Sequence, residues 1–142
     1  MPHSPSQTPD DRTASGAPTA STLARVAALD VVSVLAFAAS GRAQHGTGTW
    51  GFLLTAWPFL VGLAAGWLLL RVWRTPERLW PEGVVLVAVT VAIGMALRVA
   101  TGGGNAPWTF VMVATITLTL LMLGHRLVAG LVHRRRTRGV RA

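Results

Sequence analysis

Four long apolar stretches fill most of this 142-residue chain, and the strongest, Phe52 to Leu70, runs nineteen residues without a charged side chain. A hydrocarbon core of roughly 30 Å is crossed by about 20 apolar residues at 1.5 Å rise each. In lipid every backbone N–H and C=O must be satisfied within the segment, which leaves the helix as the economical solution for separate spans. The expected fold class is therefore all-α: an integral membrane bundle of four transmembrane helices arranged as two helical hairpins. Composition agrees, with 51% hydrophobic and only 13% charged residues, where soluble domains carry roughly a quarter. Four spans and their loops leave no room for a separate soluble catalytic domain.

The spans are expected over about 23–41, 51–72, 83–100 and 108–132, within a transmembrane domain of residues 22–132. Gly46-Thr47-Gly48-Thr49 turns the chain inside the first hairpin, and Thr101-Gly102-Gly103-Gly104-Asn105-Ala106-Pro107 turns it inside the second. Between the hairpins, Arg71 to Glu82 carries Pro76, Pro81 and five charges, a composition suited to an interfacial loop. Residues 1–21, rich in Pro, Ser, Thr and Asp, have little to bury and are expected to be a disordered polar tail. Residues 133–142 form an Arg-rich cytoplasmic tail. A secretory signal is disfavoured by the long polar lead and by Asp30 within the first apolar run. A weak repeat at an offset of 58 pairs Trp50-Gly51-Phe52 with Trp108-Thr109-Phe110, and Gly66 with Gly124.

Orientation follows from the thirteen basic residues, all of them Arg. With both termini and the middle loop inside, Arg12, Arg25, Arg71, Arg74, Arg78, Arg126, Arg134, Arg135, Arg136, Arg138 and Arg141 are cytoplasmic, and only Arg42 and Arg98 lie outside. Trp50 and Trp108 then fall at the outer headgroup level and Trp73 and Trp80 at the inner one. The expected location is the cell membrane, multi-pass, with both termini cytoplasmic. The net charge of +8 belongs mostly to the last tail. Arg134-Arg135-Arg136-Thr137-Arg138 has no interleaved aromatics to stack on bases, so its expected partner is anionic inner-leaflet headgroups and not nucleic acid. The absence of Cys excludes disulfides and thiolate chemistry.

Several segments resemble an uncharacterised bacterial and archaeal membrane family, the domain of unknown function 3054. They are Leu29-Asp30, Ala38-Ala39-Ser40-Gly41-Arg42 with His45 after it, Thr55-Ala56-Trp57-Pro58-Phe59, and Leu97-Arg98-Val99-Ala100-Thr101-Gly102-Gly103-Gly104 followed by Phe110-Val111. The resemblance covers about Leu23 to Arg126. It implies a four-span integral membrane protein and supplies no activity.

Asp30 stands out because an ionised carboxylate at the centre of a span costs about 2.5 to 3.5 kcal/mol and is retained only with shelter or a counter-charge. Arg98, near the outer end of the third span, is the expected partner in an intramembrane polar couple, about 9 Å away in level. A neutral, hydrogen-bonded acid is the alternative. Arg42, His45 and Asn105 could join Arg98 in an outer polar pocket receptive to anions, against a plain reading as hydrated helix ends. His125 and His133 are expected at the inner interface, and no metal site is expected. Gly102-Gly103-Gly104 lacks the spacing of a phosphate-binding loop. Gly62 and Gly66 form a Gly-x-x-x-Gly step, and Ala88, Ala92 and Ala96 recur four apart; both runs are expected to mediate helix packing, with homo-oligomerisation second. Pro58 should kink the second span. Thr115 and Thr119 share a face and could reach Asp30 or bond back to their own helix.

No nucleophile, base and orienting group stand in recognisable spacing, so an enzyme is the least favoured class and no cofactor is expected. The leading expectation is a non-enzymatic structural or accessory membrane component. The alternative is a small oligomeric transporter or channel subunit using the carboxylate of Asp30.

Overall fold

The computed structural model describes residues 18–45, 49–102, 105 and 107–139. Their regular structure is entirely helical: α1 (Ala20–His45), α2 (Thr49–Leu70), α3 (Val84–Ala100) and α4 (Trp108–Gly139). Ala20–Gly41, Thr49–Leu70, Leu79–Ala100, which adds the short helical segment Leu79–Gly83 ahead of α3, and Trp108–Val132 are each long and apolar enough to cross a bilayer. Large apolar side chains such as Leu69 and Leu120 stay about 70% and 68% exposed on the outside of the bundle, which suits a lipid solvent and not water.

Local chemistry explains where the boundaries depart from expectation. Thr19 accepts a hydrogen bond on Oγ1 from the backbone N–H of Thr22 at 3.3 Å, an N-cap that starts α1 at Ala20. Residues 20 and 21, expected in the polar tail, are therefore its first turn; residues 1–17 lie outside the described residues. α2 stops at Leu70 because Arg71 adopts a left-handed conformation (φ 50°, ψ 46°) and turns the chain into Val72–Arg74. At the far end, α4 runs on to Gly139, so the Arg-rich segment leaves the membrane as a continuation of the helix.

The helices pack in a ring, α1 against α2 and α4, and α3 against α2 and α4. The tightest seam lies between α2 and α3, where a Cβ on Gly62 would stand 2.6 Å from the Thr90 carbonyl oxygen and one on Gly66 2.7 Å from the Leu86 side chain. A Cβ on Gly94 would meet the Phe59 ring at 2.5 Å. Gly62 and Gly66 thus lie where α2 and α3 approach closely. Ala88, Ala92 and Ala96 do not: all three are exposed. The buried face of α3 is Leu86, Val87, Thr90, Val91, Gly94 and Met95, and its Leu86-Thr90-Gly94 row lies two residues and about 200° around the helix from the alanines. Gly124 has nothing within 4 Å of its Cβ position, whereas Gly66 is buried, so the weak repeat has no packing equivalence at that pair.

An aromatic cluster fills the core near the hairpin turns. Phe37 meets Phe59 at 5.1 Å and Phe110 at 5.7 Å, both edge to face. Pro58 is buried inside α2, which continues through it; Thr55 Oγ1 bonds back to the Gly51 carbonyl one turn earlier.

The bundle has two distinct ends. The loop end gathers the start of α1, the end of α2, the loop to α3 and the exit of α4, as the contact of Arg25 with Glu77 at 2.6 Å and of Arg126 with Pro76 show. The turn end carries the two hairpin turns. Exposed Trp73 and Trp80 mark the loop end and exposed Trp50 and Trp108 the turn end.

Candidate functional site

α1 places Asp30 ten residues beyond its first residue, about 15 Å in from the loop end at helical rise. Its side chain is fully buried. The neighbour that meets it is Arg126, itself 1% exposed, which projects from α4 as that helix descends toward the same end. Nη1 donates to Oδ1 and Nη2 to Oδ2, each at 2.7 Å, forming a two-pronged fork on the carboxylate. Bidentate, charge-assisted bonds of this length are among the strongest available to side chains.

Two further donors complete the set. Trp67 of α2 gives its indole N–H to Oδ2 at 3.0 Å, and His125 of α4 approaches Oδ1 through Nε2 at 2.8 Å. A carboxylate can only accept, so that bond assigns the proton to His125 Nε2. The 3.5 Å approach of Arg126 Nη1 to the same nitrogen is then a contact between two donors. Asp30 accepts four hydrogen bonds, and a carboxylate offers about four lone-pair sites, so none is left open.

Arg126 engages four of its five N–H donors. Its Nε donates to the Pro76 carbonyl at 3.1 Å and its Nη1 also to the Met122 carbonyl at 2.9 Å. One guanidinium therefore joins α1, α4 and the α2–α3 loop, and Trp67 adds α2. Only α3 contributes no polar group to Asp30, although Gly83 at its N-terminus comes close enough that a Cβ there would lie 3.6 Å from Arg126 Cδ.

The expected couple of Asp30 with Arg98 is not formed. Arg98 sits on α3 at the turn end, its guanidinium 4.6 Å above the Phe110 ring. The reason is level: Arg98 lies two residues from the end of α3 at the turn end, whereas Asp30 lies toward the loop end. Of the remaining outer-pocket residues, Asn105 is exposed; the side chains of Arg42 and His45 lie outside the described residues, as does that of His133. Thr115 bonds back to the Val111 carbonyl at 2.8 Å and takes no part in the cluster. Among the described residues no three His, Asp or Glu side chains gather as metal ligands.

Sequence reasoning missed Trp67, His125 and Arg126 as partners. The Arg count places Arg126 among the cytoplasmic charges, yet six apolar residues, Leu127 to Val132, follow it before the basic tail. That spacing puts it inside the span, where a lone Arg needs an acid as much as Asp30 needs a base.

No curated protein and no solved structure matches the chain. A family described as Protein of unknown function (DUF3054) matches residues 27–129, a stretch that holds all four residues of the cluster. With four membrane-length helices and a match over most of its length, the chain belongs to this family of proteins of unknown function.

Proposed function

We propose that this membrane protein is a non-enzymatic structural or accessory component of the cell membrane, with both termini cytoplasmic, and that Asp30 and Arg126 act as an internal staple. The single observation that carries this reading is the saturation of Asp30: every acceptor site is taken by a protein donor. A carboxylate serving a transport path has to exchange a proton or a cation with water, and doing so here would require breaking the Arg126 fork. The enzyme class loses support on the same ground, because the cluster's imidazole and carboxylate are engaged with each other and, among the described residues, no hydroxyl nucleophile joins them. The cytoplasmic placement of the loop end rests on the Arg distribution, and the exposed Arg71 and Arg74 beside Trp73 suit an anionic inner-leaflet surface.

The test compares the full chain and its Asp30→Asn variant in proteoliposomes, reading proton and monovalent-cation flux beside thermal stability in detergent. A staple predicts no flux above empty vesicles for the natural sequence and a strongly destabilised variant. Flux that is robust in the natural sequence and abolished in a variant of undiminished stability would establish the transporter alternative instead.

A further inference from the structure

The turn end holds a charge that no described residue answers. Its five acidic residues are Asp10, Asp11, Asp30, Glu77 and Glu82. Asp30 is consumed by the staple, Glu77 and Glu82 pair with Arg25 and Arg78 at the loop end, and Asp10 and Asp11 lie outside the described residues. No acidic residue occurs between Val31 and Pro76 or after Glu82, the two stretches that contain both hairpin turns. Arg98, always protonated, is nevertheless half-buried there.

Its surroundings are partly organised and partly open. The guanidinium stacks over Phe110 at 4.6 Å, which fixes its plane and compensates part of its desolvation. The C-terminus of α3, two residues on, adds a favourable dipole. Neither supplies a hydrogen-bond acceptor: Nε is buried without a partner, and no described residue accepts from the guanidinium. Exposed Trp108, two residues before Phe110, marks this level as the membrane interface. A planar fork at that depth, preorientated by a ring and lacking an acceptor among the described residues, matches a tetrahedral oxyanion arriving from the headgroup layer.

We infer that Arg98, held over Phe110, is a binding site for a phosphate-type oxyanion presented from outside the chain. The ring orients the fork and the oxyanion completes it, with no covalent step. Two sources carry this chemistry, the phosphodiester of a lipid headgroup and free inorganic phosphate, and the site at the Trp108 level is open to both.

The experiment uses the full chain, 15N-labelled at Arg, in maltoside micelles that contain no phosphate. The Arg98 Nε–H resonance is identified by its loss in Arg98→Gln, and Arg98→Lys serves the same purpose should the Gln variant not fold. Short-chain phosphatidylglycerol and inorganic phosphate are titrated separately. A saturable shift with the lipid alone assigns the site to headgroups, a shift with phosphate alone assigns it to the free anion, and a response to both leaves the oxyanion as the common determinant; all three support the site. In Phe110→Leu the apparent affinity should fall about fivefold, the equivalent of about 1 kcal/mol. An Arg98 resonance indifferent to both ligands overturns the proposal, and an affinity unchanged in Phe110→Leu removes the role given to the ring.

Discussion

At the loop end of the bundle a carboxylate and a guanidinium are buried together, with the carboxylate's acceptor sites filled and four of the five guanidinium N–H groups donating, whereas at the turn end a guanidinium is half-buried against an aromatic face with no acceptor among the described residues. The two ends solve the same problem differently. Deep in the span, where water cannot reach, charge is tolerated by internal neutralisation, and Asp30 and Arg126 cancel within 2.7 Å. Near the interface, a long Arg side chain keeps its head close to the headgroup layer and borrows its counter-charge from there. Depth decides which solution is available.

The sharpest way to break this contrast is to remove one charge from each end. Asp30→Asn strands the buried Arg126 guanidinium and should cost about 3–5 kcal/mol of stability, read as a large drop in thermal midpoint in detergent. Arg98→Gln leaves no buried acid behind and should cost under about 1 kcal/mol in the same assay. Equal losses in the two variants would mean that the ends are not different in kind.

Smaller changes refine the picture. Trp67→Phe keeps the ring and deletes the indole donor to Asp30, so it should cost about 1.5–3 kcal/mol, as for a hydrogen bond to a charged group. Within the same helix, Gly62→Ala would press a methyl group against the Thr90 carbonyl oxygen, a backbone atom that cannot step aside. The expected loss is about 1–3 kcal/mol, as for overpacking generally, with α2 and α3 forced apart. By contrast Ala92→Leu, on the exposed face of α3, should change stability by no more than about 0.5 kcal/mol. A severe loss there, checked together with the oligomeric state, would reveal a partner on that face.

The architecture was readable in advance because length and hydropathy report directly on the bilayer: the span at Trp108–Val132 coincides with expectation, and the others differ by a few residues at their ends. The rotational setting of each helix was not readable. On α3 the stripes Ala88-Ala92-Ala96 and Leu86-Thr90-Gly94 have the same four-residue period, and in lipid apolar character does not tell an inward face from an outward one. Only Gly94, which admits the Phe59 ring, separates them. The pairing of Asp30 failed for a related reason. Its partner lies 96 positions away on α4, so no local spacing connects them, and counting Arg126 as a flanking charge hid its depth. Comparing levels on antiparallel helices would have exposed it: Arg126 is six residues short of the end of its span and Asp30 ten residues into its own, roughly 9 and 15 Å from the loop end. A side chain as long as Arg spans that difference.

A double-mutant cycle on Asp30 and Arg126 tests the staple most directly. Asp30→Asn, Arg126→Gln and the double variant are unfolded reversibly in mixed micelles, and the coupling free energy is taken from the four stabilities. A true staple requires the double variant to be markedly more stable than the sum of the single losses allows, with a coupling of about 2–3 kcal/mol or more. Additive losses, with a coupling within about 0.5 kcal/mol of zero, would show that the two charges are buried side by side without depending on each other.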